Sequence, residues 1–546
     1  MKKKIHFLAV CLLFMGISYG QTTAEGIKQF HYERPQAAKQ TFIQVLTKTP
    51  SDLEALYWLS RIKLAADSSD KPFEFPTIPD QLKEQPLAKV VQGILSLSQG
   101  DTIRSINLFN EAIGTGRKKD PAIQFAIADA VIDAPKGNLS YAMELLDEAE
   151  KKDRKNPWLF IARGDAFRKK YDGSEAFRNY QAALALDKTN PVPYYKIGKI
   201  YQTQNNADVF TGYYNDAINA DPSFGPVYYQ LYYYYYSKDV NRAMDNLQKY
   251  IALSDPGIKN NYLLTDQYFV SGKYAEAVSE AKKIINEEST KTKPRIYKLL
   301  AFSYDALKDI RNAGENLKFY FDKAEDTLFT ADDFELMAKI AETNKEDSLV
   351  STWYEKALTL QPDPKKKADI VKKIIAFNKK LKLYDKQAYW FAQLRSLPSE
   401  MSNVDIFNWG IANYNAQNYV AADSVFGIYA KKYPEQSFGY YWRARSNAAI
   451  DTAMETGIAV PHYEEMIRVA SKDTANANNR KWLIQAYGYI AAFKVNTEKK
   501  YDDALAYYDK ILQLDPGNDD AEKYKGILEK MKESSKTTAD SPGHNN

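Results

Sequence analysis

The sequence predicts an all-α protein, built as a solenoid of stacked helix–turn–helix repeats, and two observations carry this prediction. First, residues recur at a fixed interval: Gly164 and Gly198 are 34 residues apart, and so are Asp221-Pro222 and Asp255-Pro256. Second, the apolar residues inside each repeat follow the i, i+4, i+7 spacing that places them on one helix face. A helix pair cannot bury such a face alone, so the repeats are expected to stack on one another.

The first 20 residues have the pattern of a secretory signal peptide. Three lysines at positions 2–4 precede an apolar run over 5–15, and small residues close the segment. The apolar run is shorter than the roughly 20 residues that a membrane-spanning helix needs. The valine before Cys11 disfavours lipoprotein processing at that cysteine. We therefore expect a mature chain that starts at Gln21 and lies in the periplasm or at the periphery of the outer membrane.

Composition argues against several classes of function. Cys11 is the only cysteine, so a mature chain has no disulfide, thiolate zinc site or cysteine nucleophile. The 74 basic residues nearly balance the 70 acidic ones, which is unlike a nucleic-acid-binding protein. His31 and His462 are isolated in sequence and are expected at the surface or in turns, and no phosphate-binding loop of the Walker type is present. We expect no enzymatic activity, no catalytic residues, no cofactor and no metal.

A more detailed pattern lies inside the 34-residue interval. Gly198 is followed three positions later by Tyr201, and the interval closes at Asp221-Pro222. This pattern resembles the tetratricopeptide (TPR) repeat, whose small residues lie where its two helices approach most closely. The second-helix signature recurs from Ala38/Phe42/Val45 to Ala504/Tyr508/Ile511. The resemblance implies a right-handed α-solenoid of about 11–13 TPR-like helix–turn–helix repeats with a capping C-terminal helix.

Breaks in this pattern divide the chain. A stretch with four prolines interrupts the first helices, and the last residues are polar with no apolar stripe to bury, so we expect disorder there. The predicted segments are 1–20 (signal peptide), 21–67 (N-terminal TPR-like helices), 68–86 (proline-rich loop), 87–322 (TPR-like solenoid), 323–532 (TPR-like solenoid with insertions and capping helix) and 533–546 (disordered tail).

A cluster of tyrosines marks the first helix of one mid-chain repeat. Seven of the nine residues from Tyr228 to Tyr236 are tyrosines, and either Leu231 or Tyr232 stands where the repeat expects a small residue. Part of the run is expected to close the repeat core. The remainder should lie on the first-helix face that TPR proteins use for binding, with aromatic residues at matching positions of the neighbouring repeats. The predicted partner-binding residues are Tyr195, Tyr229, Tyr233, Tyr236, Tyr262 and Phe269.

Two functions fit this arrangement. In the first, the protein is a non-enzymatic periplasmic scaffold or adaptor that binds other envelope proteins through a concave groove. In the alternative, the aromatic groove stacks on sugar rings and the protein is a carbohydrate-binding envelope protein. A tyrosine stripe that only packs is the third interpretation. Residues 437–470 resemble repeat proteins found with the machinery that energises outer-membrane transport, which favours partners among such components.

A three-residue pattern of aspartate, serine or threonine, and an apolar residue occurs six times. It resembles the acceptor sequence of a bacterial envelope O-glycosylation system, although the same residues also cap helices and turns. The hydroxyl residues of the six copies are Thr102, Thr327, Ser348, Ser424, Thr452 and Thr474.

Overall fold

The computed structural model describes residues 22–65, 73–114, 119–398 and 401–539. The predicted signal peptide, with Cys11, and the last residues of the predicted tail lie outside these ranges. The described residues form 28 α-helices and three short 3-10 helices, without a strand. The prediction of an all-α protein made of repeated helix pairs is thereby confirmed.

The contacts between helices divide the chain into two compact units, which meet in sequence between Leu307 and Lys308. The helices of the first unit are α1 (Thr23–His31), α2 (Pro35–Lys48), α3 (Leu53–Ala65), α4 (Pro86–Ser98), α5 (Thr102–Ile113), α6 (Pro121–Asp133), α7 (Leu139–Glu150), α8 (Pro157–Lys169), α9 (Gly173–Leu186), α10 (Pro191–Thr203), α11 (Ala207–Ala220), α12 (Gly225–Tyr235), α13 (Val240–Leu253), α14 (Ile258–Val270), α15 (Tyr274–Glu288) and α16 (Pro294–Ala306).

The second unit continues the helical pattern. Its helices are α17 (Ile310–Lys323), α18 (Ala331–Thr343), α19 (Asp347–Leu360), α20 (Pro364–Lys380), α21 (Tyr384–Ser396), α22 (Asn403–Asn415), α23 (Tyr419–Lys432), α24 (Ser437–Ile450), α25 (Val460–Ala470), α26 (Ala477–Asn496), α27 (Tyr501–Leu514) and α28 (Asp519–Ala539). Most helices pair with the next one in the chain as antiparallel neighbours, for example α8 with α9 and α22 with α23.

Helix starts follow from local sequence. Asp120, Asn156 and Asn190 each precede a proline, and each side chain accepts a hydrogen bond from the backbone N–H two residues later. Their side chains satisfy an N–H group that the helix itself leaves unpaired, and proline fits the first helical position because its missing donor is not needed there. First helices of successive repeats therefore begin at matching positions.

Small residues set the distance within several pairs. In five pairs, a Cβ atom added to the glycine of the first helix would lie less than 3.0 Å from an aromatic ring 16 residues later in the second helix. The side chains therefore interlock where the sequence predicts the closest approach. These pairs are Gly26 with Phe42, Gly93 with Phe109, Gly164 with Tyr180, Gly198 with Tyr214, and Gly410 with Phe426.

Segment boundaries differ in two places from those read in the sequence. The units divide after Leu307, whereas the sequence divided its two solenoid segments between 322 and 323. Helix α28 continues to Ala539, past residue 533, where the disordered tail was predicted to begin. Residues 533–539 contain neither glycine nor proline, so the packed part of the helix can propagate through them at little cost. Residues 73–85 contain one 3-10 helix, Asp80–Leu82, and no α-helix.

Candidate functional site

The tyrosine-rich segment forms helix α12 and its C-cap, and two of its seven rings are buried in the repeat core. Tyr228 and Leu231 are buried, and the Tyr228 hydroxyl donates to the backbone oxygen of Pro222 at 3.1 Å. Tyr232 is also buried and packs with Ala243 and Leu247 of the paired helix α13. A tyrosine therefore occupies the helix contact that a glycine makes in neighbouring repeats.

The three predicted binding residues of this segment remain at least partly accessible, and we call Tyr229, Tyr233 and Tyr236 the tyrosine patch. Tyr236 directly follows the last residue of α12. Tyr233 is 69% exposed. Tyr229 is half-buried, with its ring 5.1 Å from that of Tyr250. Tyr236 is half-buried and meets Tyr232 edge-on at 5.8 Å. The patch thus offers one exposed ring and two rings that pack against other tyrosines.

Charged residues of the following repeats border the tyrosine patch. Arg295 donates to Asp266 at 2.6 Å. Burial raises the pKa of Tyr236, the charge of Asp266 raises it further, and Arg295 opposes both. On the other side, the ammonium group of Lys259 lies 5.0 Å from the centre of the Tyr229 ring. The patch therefore combines aromatic surface with charges of both signs, which suits a protein segment.

The remaining predicted residues are less accessible than the sequence suggested. Tyr195 is buried, and its hydroxyl lies 3.3 Å from a carboxylate oxygen of Glu33. Tyr262 is buried too, its hydroxyl donates to Glu288 at 2.5 Å, and burial raises its pKa to about 12. Phe269 is half-buried. The rings therefore do not form one continuous exposed wall, because other parts of the chain cover Tyr195 and Tyr262.

The cover over Tyr195 is the turn between α1 and α2. His31 stacks on Trp158 with ring centres 3.9 Å apart, and Tyr32 meets Phe224 edge-on at 4.9 Å. His31 thus lies at the turn, one of the two places predicted for it, and is half-buried there. Burial, helped by the charges of Arg61 and Lys196, lowers the pKa of His31 to about 3.

Two carboxylates hold this turn, and we call residues 28–37 the N-terminal turn segment. Asp221 accepts a hydrogen bond from the Tyr32 hydroxyl at 2.6 Å and pairs with Lys28 at 3.0 Å. Asp255 accepts from the backbone N–H groups of Gln36 and Ala37 at 2.6 and 3.2 Å. Sequence reasoning explained both aspartates only as helix ends, and no local signal connects them to residues some 200 positions earlier.

A small polar cavity of about 150 Å³ lies beside the turn segment. Its charged side chains are paired: Arg61 binds Asp129 and Asp133, and Lys196 binds Asp165 at 2.8 Å. Among the described residues, no three histidine, cysteine, aspartate or glutamate side chains come together in a group that could hold a metal ion. These ion pairs connect α3 with α6 and α8 with α10.

The six hydroxyl residues of the Asp-(Ser/Thr)-apolar pattern all lie on the surface. Their surroundings differ. Thr327 lies in the exposed 3-10 helix Asp326–Leu328, whereas Ser424 lies inside α23, where its hydroxyl donates to the backbone oxygen of Val420 at 3.0 Å. Accessibility therefore permits modification at these sites, although only some of them lie in open turns.

Comparison with known proteins points to the repeat family that the sequence pattern resembles. A family model described as a TPR repeat matches residues 164–205. Similar solved structures include the C-terminal part of a TPR repeat-containing protein from Cytophaga hutchinsonii (29% identity over 47% of this chain and 97% of that one, TM-score 0.32). A TPR protein from Parabacteroides merdae is 18% identical over 46% of this chain and 97% of that one, with a TM-score of 0.30. No curated protein matches the sequence. None of the described helices is both long enough and apolar enough to cross a membrane.

Proposed function

We propose that this chain, a TPR-like α-solenoid, is a non-enzymatic scaffold of the periplasm that binds other envelope proteins through the first-helix face of its N-terminal unit. We further propose that components of outer-membrane transport, or of the machinery that energises it, are among these partners. The observation that carries the proposal is the tyrosine patch. Tyr233 leaves most of a large ring in water, and the rings of Tyr229 and Tyr236 nearby in the sequence pack against Tyr250 and Tyr232.

An exposed aromatic ring of this kind suits a protein interface. Tyrosine buries a large area on binding, loses little side-chain entropy and keeps a hydroxyl for a hydrogen bond. The ion pair of Asp266 and Arg295 beside it adds a polar rim that can select the partner by charge. Carbohydrate binding would use the same ring for stacking, and it is the alternative that the experiment must separate.

The test compares affinity capture from envelope extracts by the wild-type protein and by Tyr233→Arg. Because Tyr233 is exposed, the substitution should leave the fold intact while removing the ring and adding charge. The matched control is Tyr389→Arg, which changes a tyrosine that is 57% exposed on α21. We expect at least a tenfold loss of the captured proteins for Tyr233→Arg and no change for the control.

Three results would count against the proposal. If folded Tyr233→Arg captures the same proteins as the wild type, the patch does not bind the partner. If a glycan array is bound by the wild type and not by Tyr233→Arg, the carbohydrate alternative is correct. For the location, cell fractionation and N-terminal sequencing should find a periplasmic protein that begins at Gln21, and a cytoplasmic protein would contradict the export.

A further inference from the structure

We propose that Asp221 and Asp255 form a docking site for a basic, tyrosine-containing segment of a partner protein, and that the N-terminal turn segment occupies this site within the same chain. The inference rests on the proposed function, because it names the chemistry of a protein partner. It concerns a different surface from the tyrosine patch, so the two can fail independently.

The two carboxylate oxygens of Asp221 make different contacts. Oδ1 accepts from the backbone N–H and the hydroxyl of Ser223 at 2.8 and 2.6 Å, which closes the local turn. Oδ2 accepts from Tyr32 and pairs with Lys28. One repeat earlier, Oδ1 of Asp187 makes the same turn with Thr189 at 2.9 and 2.7 Å. The turn therefore needs only one oxygen, and the second serves to hold another segment.

Asp255 recognises a different feature of the bound segment. The N–H groups of Gln36 and Ala37 belong to the first turn of α2, where a helix leaves its donors unpaired and carries partial positive charge. The guanidinium group of Arg34 lies 3.9 Å from the same carboxylate. The two aspartates lie one repeat apart and contact opposite ends of the turn segment. Asp221 binds a lysine and a tyrosine, and Asp255 binds the start of a helix next to an arginine.

Aromatic packing contributes to binding of the turn segment in addition to the charged contacts. The Tyr32 ring packs against Phe224, which in turn lies 5.3 Å from Tyr195. Burial would raise the pKa of the Asp221 carboxyl, but hydrogen bonds from Ser223, Tyr32 and Lys28 outweigh burial and hold the pKa well below its usual range. The carboxylate is thus charged at neutral pH and is matched to a donor-rich segment.

The contacts that hold the turn segment are of a kind that another segment can replace. Lys28 is 48% exposed and Arg34 is 35% exposed, so water and salt screen their ion pairs with Asp221 and Asp255. Such pairs are individually weak. The turn segment is held by these ion pairs, by the packing of His31 and Tyr32 on Trp158 and Phe224, and by its tether, which gives it a high effective concentration. A partner segment with similar residues that also binds elsewhere on the scaffold would have a comparable effective concentration. It would therefore compete with the turn segment for Asp221 and Asp255.

The test adds the turn segment in trans, as a labelled peptide with the sequence of residues 28–39, KQFHYERPQAAK. Its binding to the full-length protein is measured by fluorescence anisotropy at low and at moderate salt. The host is the double variant Lys28→Ala/Tyr32→Ala, in which the internal segment is weakened. We expect the peptide to bind this variant at least tenfold more tightly than the wild type, and less tightly as salt increases.

Matched variants identify the site. Adding Asp221→Asn to the double variant should weaken peptide binding at least tenfold, whereas adding Asp187→Asn should leave it unchanged. The proposal is overturned if the peptide fails to bind the folded double variant, or if Asp221→Asn has no effect. Thermal melting by circular dichroism checks that each variant is folded.

Hydrogen exchange of the wild-type protein gives a second measurement that needs no substitution. If the site can be vacated, the amides of Gln36 and Ala37 should exchange by local opening, faster than global unfolding permits. Exchange only through global unfolding would show a permanent structural contact and would overturn the proposal. Either failure would leave capture through Tyr233 untouched, so the proposed function and this inference are tested separately.

Discussion

His31 is held in its neutral form by its surroundings. The ring stacks on Trp158, and the positive charges of Arg61 and Lys196 add to the effect of burial, so that its pKa falls to about 3. In the unfolded chain the imidazole has its ordinary pKa of about 6.5. Between these two values the unfolded state binds the extra proton and the folded state does not, so this residue favours folding above pH 6.5 and disfavours it progressively below.

The corresponding prediction concerns acid sensitivity. Between pH 7 and pH 5, His31 should remove up to about 2 kcal/mol from the free energy of unfolding, with partial exposure reducing this value. Urea denaturation at the two pH values measures the loss in the wild type and in His31→Gln. The variant should be less stable at pH 7, because it lacks the stacked ring, but it should lose less stability on acidification. An equal loss in both proteins would show that His31 is not held neutral.

The Asp-(Ser/Thr)-apolar sites give a second prediction for single residues. If they are O-glycosylated in the native host, the intact mass of the natively expressed protein should exceed that of the polypeptide. Thr327→Ala should remove one modification, whereas Ser424→Ala should remove none, because Ser424 lies in a regular helix and its hydroxyl is bonded to Val420. A mass equal to the bare polypeptide would exclude the modification.

At the scale of helices, the fold depends on how closely two helices of a pair can approach. Gly198 of α10 lies against Tyr214 of α11, whose hydroxyl donates to Gln202 at 2.6 Å. The bulky ring fills the space that the missing side chain leaves. In helix α12 the large residue is on the first helix, where Tyr232 packs on Leu247 of α13. A large residue at the contact is therefore compatible with helix pairing when the residue that faces it is smaller.

Substituting alanine for two glycines of neighbouring helices should therefore change the free energy of unfolding in opposite directions. Gly198→Ala places a methyl group into the Tyr214 ring and should destabilise the protein by about 1–3 kcal/mol. Gly212→Ala lies in the middle of α11 with no atom near the new methyl group, and it should stabilise by about 0.5–1 kcal/mol through helix propensity. Chemical denaturation of both variants measures the difference. Equal effects would contradict the close approach at Gly198.

At the scale of the whole molecule, stability is expected to be local because each helix pair contacts mainly its neighbours. In the second unit, α28 covers the end of the stack: Ala521 and Leu528 are buried in the cluster that contains Tyr508 and Ile511. A cavity of about 550 Å³ remains beside α28 and is lined by apolar residues of α26 and α27. This last helix therefore covers the apolar face of α27 only in part.

Truncation after Asn518 tests this capping role. Removing α28 should expose the apolar face of α27, increase amide exchange in α26 and α27, and reduce solubility. Exchange in α18 and α19, several pairs away in the same unit, should stay unchanged because their contacts are not affected. A uniform increase across the whole unit would show that it unfolds cooperatively rather than pair by pair.

The sequence by itself determined the elements and their order. The 34-residue interval, the small residues at the helix contacts and the apolar spacing within each helix are local signals, since each depends on residues no more than one repeat apart. They predicted the helix pairs, and they placed Tyr229, Tyr233 and Tyr236 together on the accessible side of one helix. The location in the periplasm stays a prediction, as does the partner.

Only the tertiary structure decided which of these residues are accessible. Tyr195 is covered by Glu33 and the rest of the N-terminal turn segment, and Asp255 receives the start of α2, although these residues are 162 and about 220 positions apart in the chain. No periodic pattern encodes such a contact, because it depends on how small rotations between successive helix pairs add up over five or six repeats. Local sequence signals therefore specified each repeat. The summed rotations of many repeats decided that the N-terminal turn segment contacts helices far away in the sequence.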